Sequence, residues 1–144
     1  MSTQTQTAPP PLGLTIALCQ QALTRRLHEL LAELDTPPAE FYARQVLAIR
    51  GPMPRAALDD VLAQSPSAAA TPEAVQRLIA TGDIAVDGDT LALSDAGRAR
   101  HDHVTRFTGA FTRSVLEQVD PDDVATTIRT LQALTARADA LAAA

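Results

Sequence analysis

Lysine and tryptophan are absent from these 144 residues, cysteine occurs once, and aromatic residues make up 3%. Each shortage excludes something. A single cysteine, Cys19, allows no intramolecular disulfide framework and no cysteine-based zinc site. The few aromatics sit beside a 46% hydrophobic content that is largely alanine. Alanine favours helix but buries little surface, so a helical monomer of this composition has a thin core and gains from pairing with a second copy. No apolar stretch approaches the ~20 residues of a membrane span, and no charged segment leads into an apolar one as in a secretory signal. A cytoplasmic protein is expected. No Gly-rich phosphate loop, nucleophile elbow or metal-protease pattern is present, so an enzyme has no supporting motif, and no metal or cofactor is expected. All twelve basic residues are arginine and the net charge is −5. A nucleic-acid binder carries a basic surplus on at least one face, which the whole chain does not show.

What is there is mostly helical periodicity, in a length that fits one domain, 12–144. Residues 1–11, polar and ending in three prolines, read as a disordered arm. From Leu12 to about Asp35, the residues Leu12, Ile16, Cys19, Leu23, Leu27, Leu30 and Leu34 recur at threes and fours, one stripe of a long helix. Pro37 and Pro38 end it, and Pro38 opens a second helix over roughly Ala39–Ile49. After the Gly51-Pro52-Met53-Pro54 break, a short helix is expected over Arg55–Ala63. Thr71-Pro72-Glu73 then starts another, with Val75, Leu78 and Ile79 inward and Gly82 as its stop. The period next changes to two. Ile84 and Val86, then Leu91 and Leu93, flank Asp87-Gly88, a strong hairpin signal. Ser94 caps a helix running to about Val119, with Val104, Phe107, Phe111 and Val115 as its stripe. Asp120-Pro121-Asp122-Asp123 begins the last helix, whose apolar face is Val124, Ile128, Leu131 and Leu134. The fold class is therefore mostly α: a winged helix-turn-helix at about 37–97, between terminal helices at about 12–35 and 98–142.

Two stretches carry a family resemblance. Leu91-Ala-Leu-Ser-Asp-Ala-Gly-Arg-Ala99 resembles the segment that follows the wing in the MarR (multiple antibiotic resistance regulator) family, and Leu78-Ile-Ala-Thr-Gly-Asp-Ile84 resembles the end of that family's recognition helix. The Gly51 break before Ala57-Leu58 resembles its helix-turn-helix entry. With the flanking helices the resemblance covers roughly Leu12 to Leu141. It implies a homodimer joined through the terminal helices, binding to palindromic operator DNA, and a small aromatic or other effector near the dimer interface. Leu12, Ile16, Phe107, Phe111, Val124, Ile128 and Leu131 are the dimerisation residues on this reading.

The candidate DNA-contacting residues follow from helix position. On the helix from Thr71 the outward positions are Glu73, Ala74, Gln76, Arg77 and Ala80; Gln76 suits an adenine edge and Arg77 a guanine edge. Thr71 at the helix start, and Arg55, Arg98 and Arg100 near helix starts, complete the set as phosphate contacts. Two departures from the family favour a rival, a winged-helix dimer that serves as a protein-interaction or ligand-binding module. The hairpin tip is Asp87-Gly88-Asp89 where the family has a longer wing with an arginine, and Pro72 leaves the recognition helix about one turn short. From Thr36 to Arg100 there are six arginines against eight acids. His101-Asp102-His103 has the wrong spacing for a helical metal pair, even with His28 added, and reads as polar surface. Cys19 lies on an apolar stripe away from the place where a peroxide-sensing branch of the family carries its cysteine, and reads as a buried packing residue.

Overall fold

The computed structural model describes residues 8, 10–64 and 72–144; most of the N-terminal arm and Thr71 lie outside it. The chain forms two compact units, one up to Thr105 and one from Arg106 onward. In chain order the elements are α1 (Leu12–Glu33), α2 (Pro38–Arg50), β1 (Met53–Pro54), α3 (Arg55–Ala63), α4 (Pro72–Ala80), β2 (Ile84–Asp87), β3 (Thr90–Leu93), α5 (Asp95–Leu116) and α6 (Pro121–Ala142). This is a winged helix-turn-helix with helical extensions at both ends. The unexpected element is β1, which pairs antiparallel with β3 (Met53 opposite Leu91) and gives the sheet the order β1-β3-β2. Two residues, one of them proline, carry no alternation by which a strand can be read.

The first unit has two apolar clusters. Ala43, Leu47, Leu58, Leu62, Val75, Leu78, Ile84 and Leu91 bring together α2, α3, α4 and the sheet. Each fully buried leucine there contributes about 1.5–3 kcal/mol. Leu31, Phe41 and Val104 form the second cluster, joining the end of α1 to α2 and the start of α5. The ends of two helices are closed by the same device. At the end of α1 the Thr36 N–H reaches the Leu31 carbonyl while Asp35 takes φ 49°. At the end of α4 the Asp83 N–H reaches the Leu78 carbonyl at 2.9 Å across Gly82, whose φ is 85°. Both are Schellman turns, and the second needs its glycine because a side chain is strained at that φ.

Ser94 caps α5 as expected, its Oγ accepting the Gly97 N–H at 3.0 Å. The hairpin closes through the two residues Gly88 and Asp89, with Asp87 opposite Thr90, and the Asp89 carbonyl accepts the Arg55 N–H at 3.0 Å.

Along α1 only Leu30 and Leu31 are buried. Leu12, Ile16 and Leu23 are exposed, and so is Cys19. That corrects the reading of Cys19 as buried: only the C-terminal part of its stripe, at Leu27, Leu30 and Leu34, is covered. The second unit is the remainder of α5 and α6. Helix α5 ends at Leu116, a turn before the expected Val119, and Asp120 caps α6 by accepting the Asp122 N–H at 2.7 Å. No residue of α6 is buried; Ile128, Leu131 and Leu134 are exposed, Val124 half-buried, Phe107 exposed and Phe111 half-buried. Among the described residues no helix is long and apolar enough to cross a membrane.

Candidate functional site

Helix α4 buries Ala74, Val75 and Leu78 and leaves Glu73, Gln76, Arg77 and Ala80 exposed. Ala74 therefore points inward, not outward; alanine fits either face, so periodicity could not place it. Arg77, the one cation in Pro72–Ala80, is not free. Its Nε donates to Glu40 Oε1 of α2 at 2.9 Å, with side-chain exposures of 54% and 18%. Arg55 is also engaged: its Nε lies 3.3 Å from both Asp59 carboxylate oxygens, and one terminal nitrogen donates to the Pro72 carbonyl at 3.2 Å. It ties α3 to the start of α4. Arg98 is exposed and forms no salt bridge among the described residues. Arg100 is half in solvent and donates to Asp83 Oδ2 at 3.2 Å. Gln76 and Arg98 are thus exposed without an ion pair among the described residues, Arg77 and Arg100 are paired but half in solvent, and Arg55 is paired and the least exposed of the four arginines.

Asp83 is the residue that sequence reasoning missed. It is almost wholly buried, and the same oxygen that accepts Arg100 also accepts Nη1 of the buried Arg44 at 3.3 Å. Burial pulls the Arg44 pKa down from the ordinary arginine value, and Asp83 and Glu40 oppose that fall. Arg44 Nε is buried without a partner. The Asp83 backbone takes part as well. Its carbonyl accepts the Ser94 N–H and hydroxyl, and a side chain at Gly97 would collide with that carbonyl. One residue therefore joins α2, the end of α4, the hairpin base and the start of α5. A charged pair 39 residues apart, one partner on α2 and the other in the turn after α4, leaves no periodic trace.

Beside this cluster lies a cavity of about 270 Å³, lined by Glu40, Arg44, Arg100, His103, Leu34 and Val104 among others. His101, read from sequence as surface, is buried instead, its ring 5.8 Å from that of Phe41. Its Nδ1 has no partner, and Nε2 lies 3.4 Å from Thr105 Oγ1. Burial, then the Arg44 charge and less strongly Arg98, depress its pKa below 6.5, against a smaller opposing pull from Asp102. A histidine depressed in the fold is neutral there and must gain its proton on unfolding. Its contribution is therefore complete above pH ~6.5 and is lost as pH falls below that value. The melting temperature should drop more between pH 7.5 and 5.5 in the native protein than in His101→Gln; equal drops would assign the acid sensitivity elsewhere. Among the described residues no three His, Cys, Asp or Glu side chains group to hold a metal ion.

No protein-family model matches the sequence and no curated protein matches it. Solved structures do. A MarR family protein from Bacillus stearothermophilus superposes with TM-score 0.74 at 21% identity, over 89% of this chain and 93% of that one. NadR in complex with 4-hydroxyphenylacetate gives TM-score 0.76 at 14% identity, over 91% of this chain and 99% of that one. The chain has the MarR fold. A mutant E. coli MarR solved with operator DNA also matches, with TM-score 0.67 at 22% identity, over 87% of this chain and 94% of that one. Within the MarR fold, the hairpin tip is the acidic Asp87-Gly88-Asp89.

Proposed function

We propose that the protein is a cytoplasmic, dimeric, ligand-responsive transcriptional regulator that binds operator DNA. The observation that carries this is the outer face of α4, where Gln76 and Arg77 stand exposed on the helix that follows the α2–α3 scaffold. In this reading Gln76 and Arg77 meet base edges, and Arg55, Thr71, Arg98 and Arg100 lie near the phosphates. The dimer forms through Leu12, Ile16, Phe107, Phe111, Val124, Ile128 and Leu131, apolar residues of α1, α5 and α6. The effector site is the cavity beside Arg44. With Arg44, Arg100 and His103, the carboxylates of Glu40 and Asp35, and the apolar Leu34 and Val104 on its wall, it suits a small, partly apolar molecule that carries both hydrogen-bond donors and acceptors. A MarR structure with operator DNA and a NadR structure with 4-hydroxyphenylacetate support the two binding roles.

The test is selection of bound DNA from a random pool at low salt, followed by Arg77→Ala on the enriched site. Loss of one bidentate guanine contact costs about 1–3 kcal/mol, read as a ten- to hundredfold weaker specific complex with bulk-DNA binding nearly unchanged. An equal loss on all sequences would remove Arg77 from base reading. The acidic tip favours a second reading, an interaction or ligand-binding module that does not read DNA. Asp87→Arg and Asp89→Arg decide between them: on a DNA reader they raise affinity for every sequence, because a repulsive wing becomes attractive.

A further inference from the structure

Glu40 invites a question that stability does not answer. An ion pair with a half-exposed arginine contributes little to folding, yet this carboxylate is mostly buried on α2 and aimed at the one cation of α4. The geometry is selective. A guanidinium has five N–H donors, and Glu40 takes the one on Nε. The two terminal nitrogens, the pair that meets a guanine edge side by side, keep their donors. An arginine held at Nε also loses the freedom to swing about its long stem, so its fork is aimed before any contact is made. We propose that Glu40 is a positioning residue for base recognition, holding Arg77 by Nε so that its terminal nitrogens face a guanine. This rests on the DNA-reading function above. It also gives the cavity a route to the DNA face, because Glu40 is at once a wall of that cavity and the partner of Arg77. A molecule that hydrogen-bonds the carboxylate from the cavity side competes for the group that steers the arginine.

The test compares the full-length protein with Glu40→Ala, Glu40→Asp and Glu40→Gln, each checked for a native melt. Alanine removes the acceptor, aspartate keeps the charge but falls short, and glutamine keeps the acceptor without the charge. In the arginine side-chain ¹H–¹⁵N spectrum of free protein, the Arg77 Nε–H signal, identified by its loss in Arg77→Ala, should be shifted and slow to exchange in wild type and Glu40→Gln. It should fall among the solvent-exposed arginines in the other two. On the selected operator, discrimination against replacement of the contacted guanine should fall about tenfold in Glu40→Ala and Glu40→Asp, with bulk-DNA affinity at low salt undiminished, and glutamine should restore most of it. If wild type enriches no motif, the DNA-reading function fails. If wild type enriches one and Glu40→Ala and Glu40→Asp discriminate as well as it does, or lose affinity equally on all sequences, the role of Glu40 alone is overturned.

Discussion

Asp83→Ala should destabilise the protein by about 3–5 kcal/mol, a large share of the total for a domain of this size. The reason is what the truncation leaves behind. Arg44 has a side chain only 2% exposed, and among the described residues Asp83 is the sole carboxylate bonded to it. Without Asp83 the guanidinium stays charged in a site that water scarcely reaches. Arg100 shares the carboxylate but has 57% of its side chain in solvent, so it can rehydrate. Arg100→Ala should therefore cost no more than about 1 kcal/mol. Urea unfolding at fixed protein concentration measures both, since association would otherwise shift the midpoints. An Asp83→Ala variant within 1 kcal/mol of wild type would mean that Arg44 is far better hydrated than the structure shows.

The second large effect is on assembly. Sedimentation equilibrium at micromolar concentration should give twice the chain mass, and the double variant Phe111→Asp, Leu131→Asp should give the single mass with a lower melting temperature. Helix α6 buries none of its residues, and α1 leaves Leu12, Ile16 and Leu23 of its stripe open. Contiguous apolar stripes of this kind mark interaction surfaces, and an aspartate in a self-complementary interface is introduced twice. Native protein that sediments as a monomer at these concentrations would end the dimer proposal.

The parts of the fold legible in sequence are those governed by local rules. Arg55–Ala63 falls where a proline break and an apolar period place it, Gly82 ends α4 because its φ demands glycine, and Ser94 announces its own cap. What stayed hidden depends on distant partners. The pairing of Met53 with Leu91 and the meeting of Arg44 with Asp83 need the tertiary fold to exist first. The candidate site divides the same way. That Arg77 faces outward follows from helix geometry, but that Glu40 already holds it does not. His101 shows the converse error: between two polar neighbours it reads as surface, and only the ring of Phe41 against it reveals that it is core.

The hairpin has a consequence for speed. Its turn is two residues long, its tip is pinned by the Arg55 N–H to the Asp89 carbonyl, and it carries Asp87 and Asp89 where a wing would grip the backbone. A DNA reader with so few phosphate contacts holds non-target sequence only briefly. It would slide short distances and find its operator chiefly by repeated dissociation and re-encounter. Its search time would then respond less to salt than that of a regulator with a long basic wing, and adding non-operator DNA would delay it little.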